Sequence, residues 1–238
     1  MKEINDIIHA YQKALDNNQS MALATVVKVE GSSYRQPGAR MLVTDDGKLT
    51  GAISGGCLEG DALRKALLAI HQRTNKLITY DTTSEENTDF GVQLGCNGIV
   101  HILFEYIQVD NPSHPIILLK KLQQTRMEAV IVTLFSTKHR STQPGTLMVS
   151  AGEKEIFTTQ SGSKETIFFD DIKYTKDNKN SHLKEFSYQN KQAEALFEYV
   201  TPPVHLVVVG AGNDAQPLVE TADILGWETT VLDGRTTH

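Results

Sequence analysis

The chain has 238 residues, 39% of them hydrophobic, with a formal charge of −6 and a pI near 5.7. That length holds one large domain or two smaller ones, and an acidic balance with no basic stripe argues against nucleic acid as a partner. Residues 1–20 are too polar for a secretion signal, and no apolar run reaches the ~20 residues that stable membrane insertion of a helix needs, so the expected compartment is the cytoplasm.

In chain order, Ile4, Ile7, Ile8, Tyr11 and Leu15 fall at helical spacing and predict a helix from Glu3 to Asn17. Met21 to Val29 reads as a buried strand and Ala39 to Thr44 as its partner, joined through Gly31-Ser32-Ser33-Tyr34-Arg35-Gln36-Pro37-Gly38. Asp45-Asp46-Gly47 is a hairpin turn, followed by a strand from Lys48 to Ile53. A helix from Leu58 to Gln72 places Leu63, Ala66, Leu67 and Ile70 on one face. Leu77 to Asp81 is a short strand, Thr82 to Asp89 an exposed acidic stretch, and Gly98 to Tyr106 a strand. Ile116 to Gln124 reads as a linking helix, Asp170 to Lys184 as an irregular mobile loop, and Lys191 to Tyr199 as a short helix.

Shifting the sequence by 107 residues reveals an internal repeat. Ala22 meets Ala129, Gln36-Pro37-Gly38 meets Gln143-Pro144-Gly145, Met41 meets Met148, and Ser54-Gly55 meets Ser161-Gly162. The second copy lacks the distinctive residues of the first: Gly56-Cys57 becomes Ser163-Lys164. The expectation is an α/β fold, with a mixed-sheet amino-terminal domain built on a degenerate repeat. Its first copy spans 1–108, and the second copy with its connection spans 109–200.

From 201 to 238 the pattern changes. Val204 to Val209 is a continuous apolar run typical of a central parallel strand, and Gly210-x-Gly212-x-x-Ala215 opens a helix. A strand from Glu228 to Leu232 ends at Asp233. This is the dinucleotide fingerprint in its Gly/Gly/Ala form. Gly210 would permit the tight turn and Gly212 would let the backbone approach a pyrophosphate, with Asp233 on the ribose hydroxyls. A full nucleotide-binding half needs more strands, so this stretch is expected to be the opening β-α-β of a Rossmann-like domain.

Chemistry concentrates in Gly51-Ala52-Ile53-Ser54-Gly55-Gly56-Cys57-Leu58-Glu59 and in Gly95-Cys96-Asn97-Gly98, which carry the only two cysteines. Glycines hold backbone amides open as an anion nest, and a cysteine just before a helix is in a setting that favours the thiolate. Ser54, Gly55 and Gly56 supply donors. Glu59 is either a capping carboxylate in the first helical turn or a functional group, as a proton acceptor or an orienting group. Arg35 could grip a phosphate or carboxylate with paired donors, and Ser33 could add a hydroxyl. Two cysteines without CxxC make no structural zinc site, no HExxH occurs, and His101 reads as a strand residue. No serine-hydrolase elbow is present.

These three separated stretches resemble the motifs of the XdhC/CoxI family, accessory proteins of xanthine dehydrogenase and related molybdenum hydroxylases. The resemblance implies a maturation chaperone rather than a catalyst, one that binds molybdenum cofactor (molybdopterin) and assists its sulfuration and insertion into a xanthine dehydrogenase-type molybdenum hydroxylase. By that resemblance Cys57 is the leading cofactor contact and Cys96 the second, with Arg35 and Ser33 as anion contacts. It admits a cysteine desulfurase as a further partner, and a homodimer. Two other readings stay open. One is an oxidoreductase using NAD, NADP or FAD with a cysteine pair; the other is a non-catalytic scaffold for the hydroxylase.

Overall fold

The computed structural model describes residues 1–83, 97–112, 114–124, 126–139, 143–152, 155–158, 165–189 and 191–235. Helix α1 (Lys2–Asp16) leads into β1 (Met21–Gly31), β2 (Arg40–Thr44), β3 (Leu49–Gly51), α2 (Glu59–Gln72), β4 (Lys76–Asp81) and β5 (Gly98–Tyr106). These strands form an antiparallel sheet in the order β3-β2-β1-β5-β4. Helix α3 (Pro115–Gln124) leads to a second set: β6 (Ala129–Phe135), β7 (Gly145–Ala151), β8 (Glu155–Thr158), α4 (Phe169–Asn178), β9 (His182–Tyr188) and β10 (Lys191–Val200). Its order, β8-β7-β6-β10-β9, repeats the first strand for strand and is also antiparallel. The expected mixed sheet therefore resolves into two antiparallel ones, and parallel pairing is confined to the tail.

Strand alternation builds the layers. On β1, Ala22, Ala24 and Val26 face α2 and pack on its Ala62, Ala66, Ala69 and Ile70. Leu23 and Val27 face the second sheet, one joining the cluster that contains α1, α3, Ile131 and Val149, the other meeting Phe135 and Leu196. The second sheet mirrors this, with Val130, Val132 and Phe197 packed beneath Ile172 of α4. Two sheets thus lie face to face with a helix outside each.

Two stretches differ from the sequence expectation. Asp170 to Lys184 is not an irregular loop but α4 and the start of β9. The helix is polar outside and buries Asp171, Ile172 and Thr175, and the Asp171 carboxylate is held by Lys184 at 2.8 and 2.9 Å. Lys191 to Tyr199 is not a helix but most of β10. Its Ala, Glu and Leu residues favour a helix locally, yet pairing with β6 on one side and β9 on the other overrides that preference.

The repeat also explains its own shared residues. Gly38 (φ +98°) and Gly145 (φ +91°) end equivalent Gln-Pro-Gly turns, and both have backbone conformations that disfavour a side chain. A Cβ on Gly38 would stand 2.7 Å from Glu198 Oε1 of β10, and one on Gly145 would meet Glu105 Oε1 of β5. Each turn therefore receives a glutamate from the equivalent strand of the opposite sheet. Buried Arg40 bonds both oxygens of Glu198 (3.0 and 2.5 Å) and the carbonyl of Gly38 (2.8 Å). At the other joint, Glu105 accepts from the Thr146 amide (2.6 Å) and hydroxyl (2.8 Å).

The tail comprises β11 (His205–Val209), α5 (Ala215–Ile224) and β12 (Glu228–Leu232), with the two strands parallel. Among the described residues β11 pairs only with β12. Alternate residues of the apolar run are accordingly exposed, Val209 at 83%. No described helix is long and apolar enough to cross a membrane.

Candidate functional site

The loop after β1 is anchored on three sides. Gly31 is the register partner of Gly98, and the Ser32 amide donates to Asn97 O at 3.0 Å. A Cβ on Gly98 would lie 2.7 Å from Glu30 O, so only glycine permits this approach. Arg35 donates through Nε to Ala52 O (3.2 Å) and through its terminal nitrogen to Glu3 of α1. The other oxygen of Glu3 accepts the Arg40 amide at 3.0 Å. Arg35 thereby stitches helix, loop and turn together, and its expected anion-gripping donors are directed at Glu3 and Ala52. Ser33 sits half-buried in the same loop.

The turn from Gly51 to Leu58 is organised by Ser54. Its hydroxyl donates to Glu59 and accepts the amides of Gly56 and Leu58, both at 3.1 Å, while its own amide donates to Glu59 Oε1 at 2.9 Å. Burial alone would push the Glu59 carboxyl up. The bonds from the Ser54 hydroxyl and from backbone amides outweigh it and hold Glu59 below its ordinary value. Glu59 is thus an anion that pins the turn through Ser54, and its charge suits the N-terminal end of α2. Gly56 has φ +109° with open space around it.

The amides of Gly55 and Cys57 have no partner among the described residues. They lie just ahead of the 14-residue helix α2, where unpaired amides and the helix dipole favour an anion. The Cys57 thiol is free and half-buried, packed against the cluster beneath α2. The ring of Tyr34 lies over Gly55. Cys96, together with Gly95, lies outside the described residues. Asn97 and Gly98 lie within them, and Gly98 is bound to Thr82 on one side and packed on Ser32 on the other. The fold therefore gathers the Gly31–Arg35 loop, the Gly51–Glu59 turn and the Asn97–Gly98 stem at one end of the first sheet.

The tail fingerprint is a separate feature. Gly210 has φ +114° and its amide donates to Leu232 O at 2.7 Å. The Asp233 carboxylate accepts the Ala211 amide (2.7 Å) and three donors of Arg235, and these hold it well below the usual carboxylate range. A side chain on Gly212 would meet Asp214 Oδ1 at 2.5 Å. Asp233 is thus engaged by Arg235 of its own loop and by the turn after β11.

Among the described residues no group of three His, Cys, Asp or Glu side chains could hold a metal. His101, the expected strand residue, bonds Thr79 and Glu30, each at 3.0 Å. Sequence reasoning missed Glu3 and the placement of Tyr34. An acid in the first helical turn gives no sign of a distant arginine partner, and only the glycine two residues before Cys57 hints at a ring above it.

The sequence model of the XdhC and CoxI family matches residues 14–81. Over 224 residues the chain is 29% identical to a Bacillus subtilis (strain 168) protein named as a probable xanthine dehydrogenase subunit, covering 93% of this chain and 62% of that one. Over 114 residues it is 29% identical to the Escherichia coli (strain K12) molybdenum cofactor insertion chaperone PaoD, covering 48% of this chain and 34% of that one. The fold matches a crystal structure described as a xanthine dehydrogenase from Bacillus halodurans with a TM-score of 0.70 and 26% identity, over 97% of this chain and 63% of that one. The chain thus spans less than two thirds of each of these proteins. Two of the three gathered turns lie inside the stretch that matches the XdhC and CoxI family, and the third is bonded to it.

Proposed function

We propose that this chain binds molybdenum cofactor as cargo and assists its sulfuration and insertion into a xanthine dehydrogenase-type molybdenum hydroxylase. The observation that carries the reading is the likeness to a protein named as a molybdenum cofactor insertion chaperone. The match of residues 14–81 to the family, on the sheet that bears the gathered turns, supports it.

The cargo offers a phosphate and an ene-dithiolate. The free amides of Gly55 and Cys57 are suited to an anionic group, and the Cys57 thiol stands beside them. Ser54 and Glu59 keep the turn open from inside, so those amides need no rearrangement to accept a guest. Arg35 acts as a positioning residue through Glu3 and Ala52. Cys96 keeps its place as the second thiol of the proposal, and a cysteine desulfurase and a second copy of the chain remain proposed partners.

The test is purification of the chain from cells able and unable to make molybdopterin, followed by release, oxidation and fluorescence assay of the pterin, with metal analysis. Pterin and molybdenum above background only in the first preparation are expected. Equal background in both, together with no uptake of added cofactor, rejects the reading. The name of the Bacillus subtilis relative, a dehydrogenase subunit, suggests a second reading, a permanent component of the hydroxylase. Stoichiometric co-purification with fully active hydroxylase would favour that reading over transient delivery.

A further inference from the structure

Tyr34 is 74% exposed, the most exposed of the large hydrophobic side chains other than Val209. Its ring is nevertheless seated. A Cβ built on Gly55 would stand 3.1 to 3.3 Å from its Cγ, Cδ1 and Cδ2 atoms, so the ring covers the backbone of that residue. Gly55 has no left-handed φ that would itself call for glycine, unlike its neighbour Gly56 at +109°. A side chain at Gly55 would require the ring to give way by a few tenths of an ångström. The loop that carries Tyr34 is fixed on both flanks, by Ser32 on Asn97 and by Arg35 on Ala52 and Glu3.

A water-exposed aromatic ring resting on a turn in which the Gly55 and Cys57 amides have no partner among the described residues is the geometry of a stacking surface. One side is backed by the polypeptide and the rest is open, and a planar ligand laid on it gains contact area at little cost in ordering the protein. We propose that Tyr34 is the surface on which the planar pterin of the cargo stacks while its anionic groups reach the Gly55 and Cys57 amides. The proposal deepens the cargo-carrying reading and rests on it.

The test measures binding of isolated molybdopterin to the full chain, read as pterin fluorescence after release and oxidation, for wild type, Tyr34→Ala, Tyr34→Phe and Gly55→Ala. Stacking of a heterocycle on an aromatic residue typically carries about 5- to 150-fold in affinity, so Tyr34→Ala should weaken binding at least about 5-fold. Tyr34→Phe keeps the ring and should stay within about 2-fold. Gly55→Ala, which pushes against the ring without removing it, should weaken binding less than Tyr34→Ala does. Urea unfolding midpoints unchanged in both Tyr34 variants would show that the fold is not the cause. Wild-type binding that Tyr34→Ala leaves unaltered overturns the stacking role while sparing the cargo reading. Equal losses in the Ala and Phe variants also overturn it, because the hydroxyl would then be the contact. Absence of wild-type binding overturns the cargo reading itself, and the stacking role with it.

Discussion

The two sheets are the same construction used twice, and they differ in what surrounds the shared frame. Each has its first strand at the centre, a helix outside it, and a Gln-Pro-Gly turn that receives a glutamate from the other sheet. The first sheet adds to this a turn of Ser54, Gly55, Gly56 and Cys57, in which the amides of Gly55 and Cys57 have no partner among the described residues. The shift that aligns the copies puts Ser161, Gly162, Ser163 and Lys164 there, without a thiol. The shared Gln-Pro-Gly turns therefore serve the joint between the sheets, and the Gly56-Cys57 pair that only the first copy holds lies at one end of its sheet.

The joints are equivalent in position but not in chemistry, and breaking each should show this. Arg40 is buried and charged. Burial works against that charge, and Glu198 and then Glu105 outweigh it. Arg40→Met leaves Glu198 without its cation and should cost about 3–5 kcal/mol, as breaking a buried pair from one side does. Thr146→Val removes a neutral hydroxyl donor from Glu105 and that hydroxyl's contact with Thr133, and should cost about 1–2 kcal/mol. Urea unfolding of both variants checks the pair. Equal costs would mean that the cation adds nothing beyond a neutral donor.

The glycines test the symmetry itself. Gly38→Ala and Gly145→Ala each force a side chain into a left-handed conformation and against a glutamate oxygen. Each should lose about 2–4 kcal/mol, with the two values close to one another. A loss at only one of them would show that just one joint is held closed by its turn.

Acid separates the joints more gently. Burial pushes the Glu105 carboxyl up, and the Thr146 bonds and Arg40 offset this only in part. With the folded value above the unfolded one, the native state binds more protons in the window between them. Stability from this group then falls as pH rises through that window and is recovered on acidification, by at most about 1.4 kcal/mol per pH unit. Glu105→Gln cannot titrate. Its stability relative to wild type should therefore increase as pH rises from about 4.5, measured as the difference in unfolding free energy across a pH series. A flat difference would mean that Glu105 is as easily ionised in the fold as outside it.

Much of the first sheet was legible because its strands carry clean alternation and its turns carry glycine. The strand from Gly98 to Tyr106 is found with the bounds read from sequence. The second half was legible mainly through its likeness to the first. Lys191 to Tyr199 contains good helix formers, and only the two strands that flank it make it a strand. At the candidate site local chemistry names the glycines, Ser54 and Cys57 as candidates. The Arg35 contact with Glu3 could not be read, since Glu3 lies 32 positions earlier and no local pattern records it.

The smallest expected change in stability falls on the residue with the largest proposed consequence. Cys57 is half-buried and forms no bond that the turn depends on: Ser54 and Glu59 hold the turn, and Ile53 and Leu58 fill the core beneath it. Cys57→Ser should therefore leave the unfolding free energy within about 0.5 kcal/mol of wild type. If the thiol contacts the cargo, the same variant should retain markedly less pterin than wild type when purified from molybdopterin-producing cells. The substitution keeps the backbone amide in place, so residual binding would measure what the amides and the ring of Tyr34 contribute without sulfur. Full retention would reduce Cys57 to a packing residue and leave the turn's backbone as the feature that sets the first copy apart.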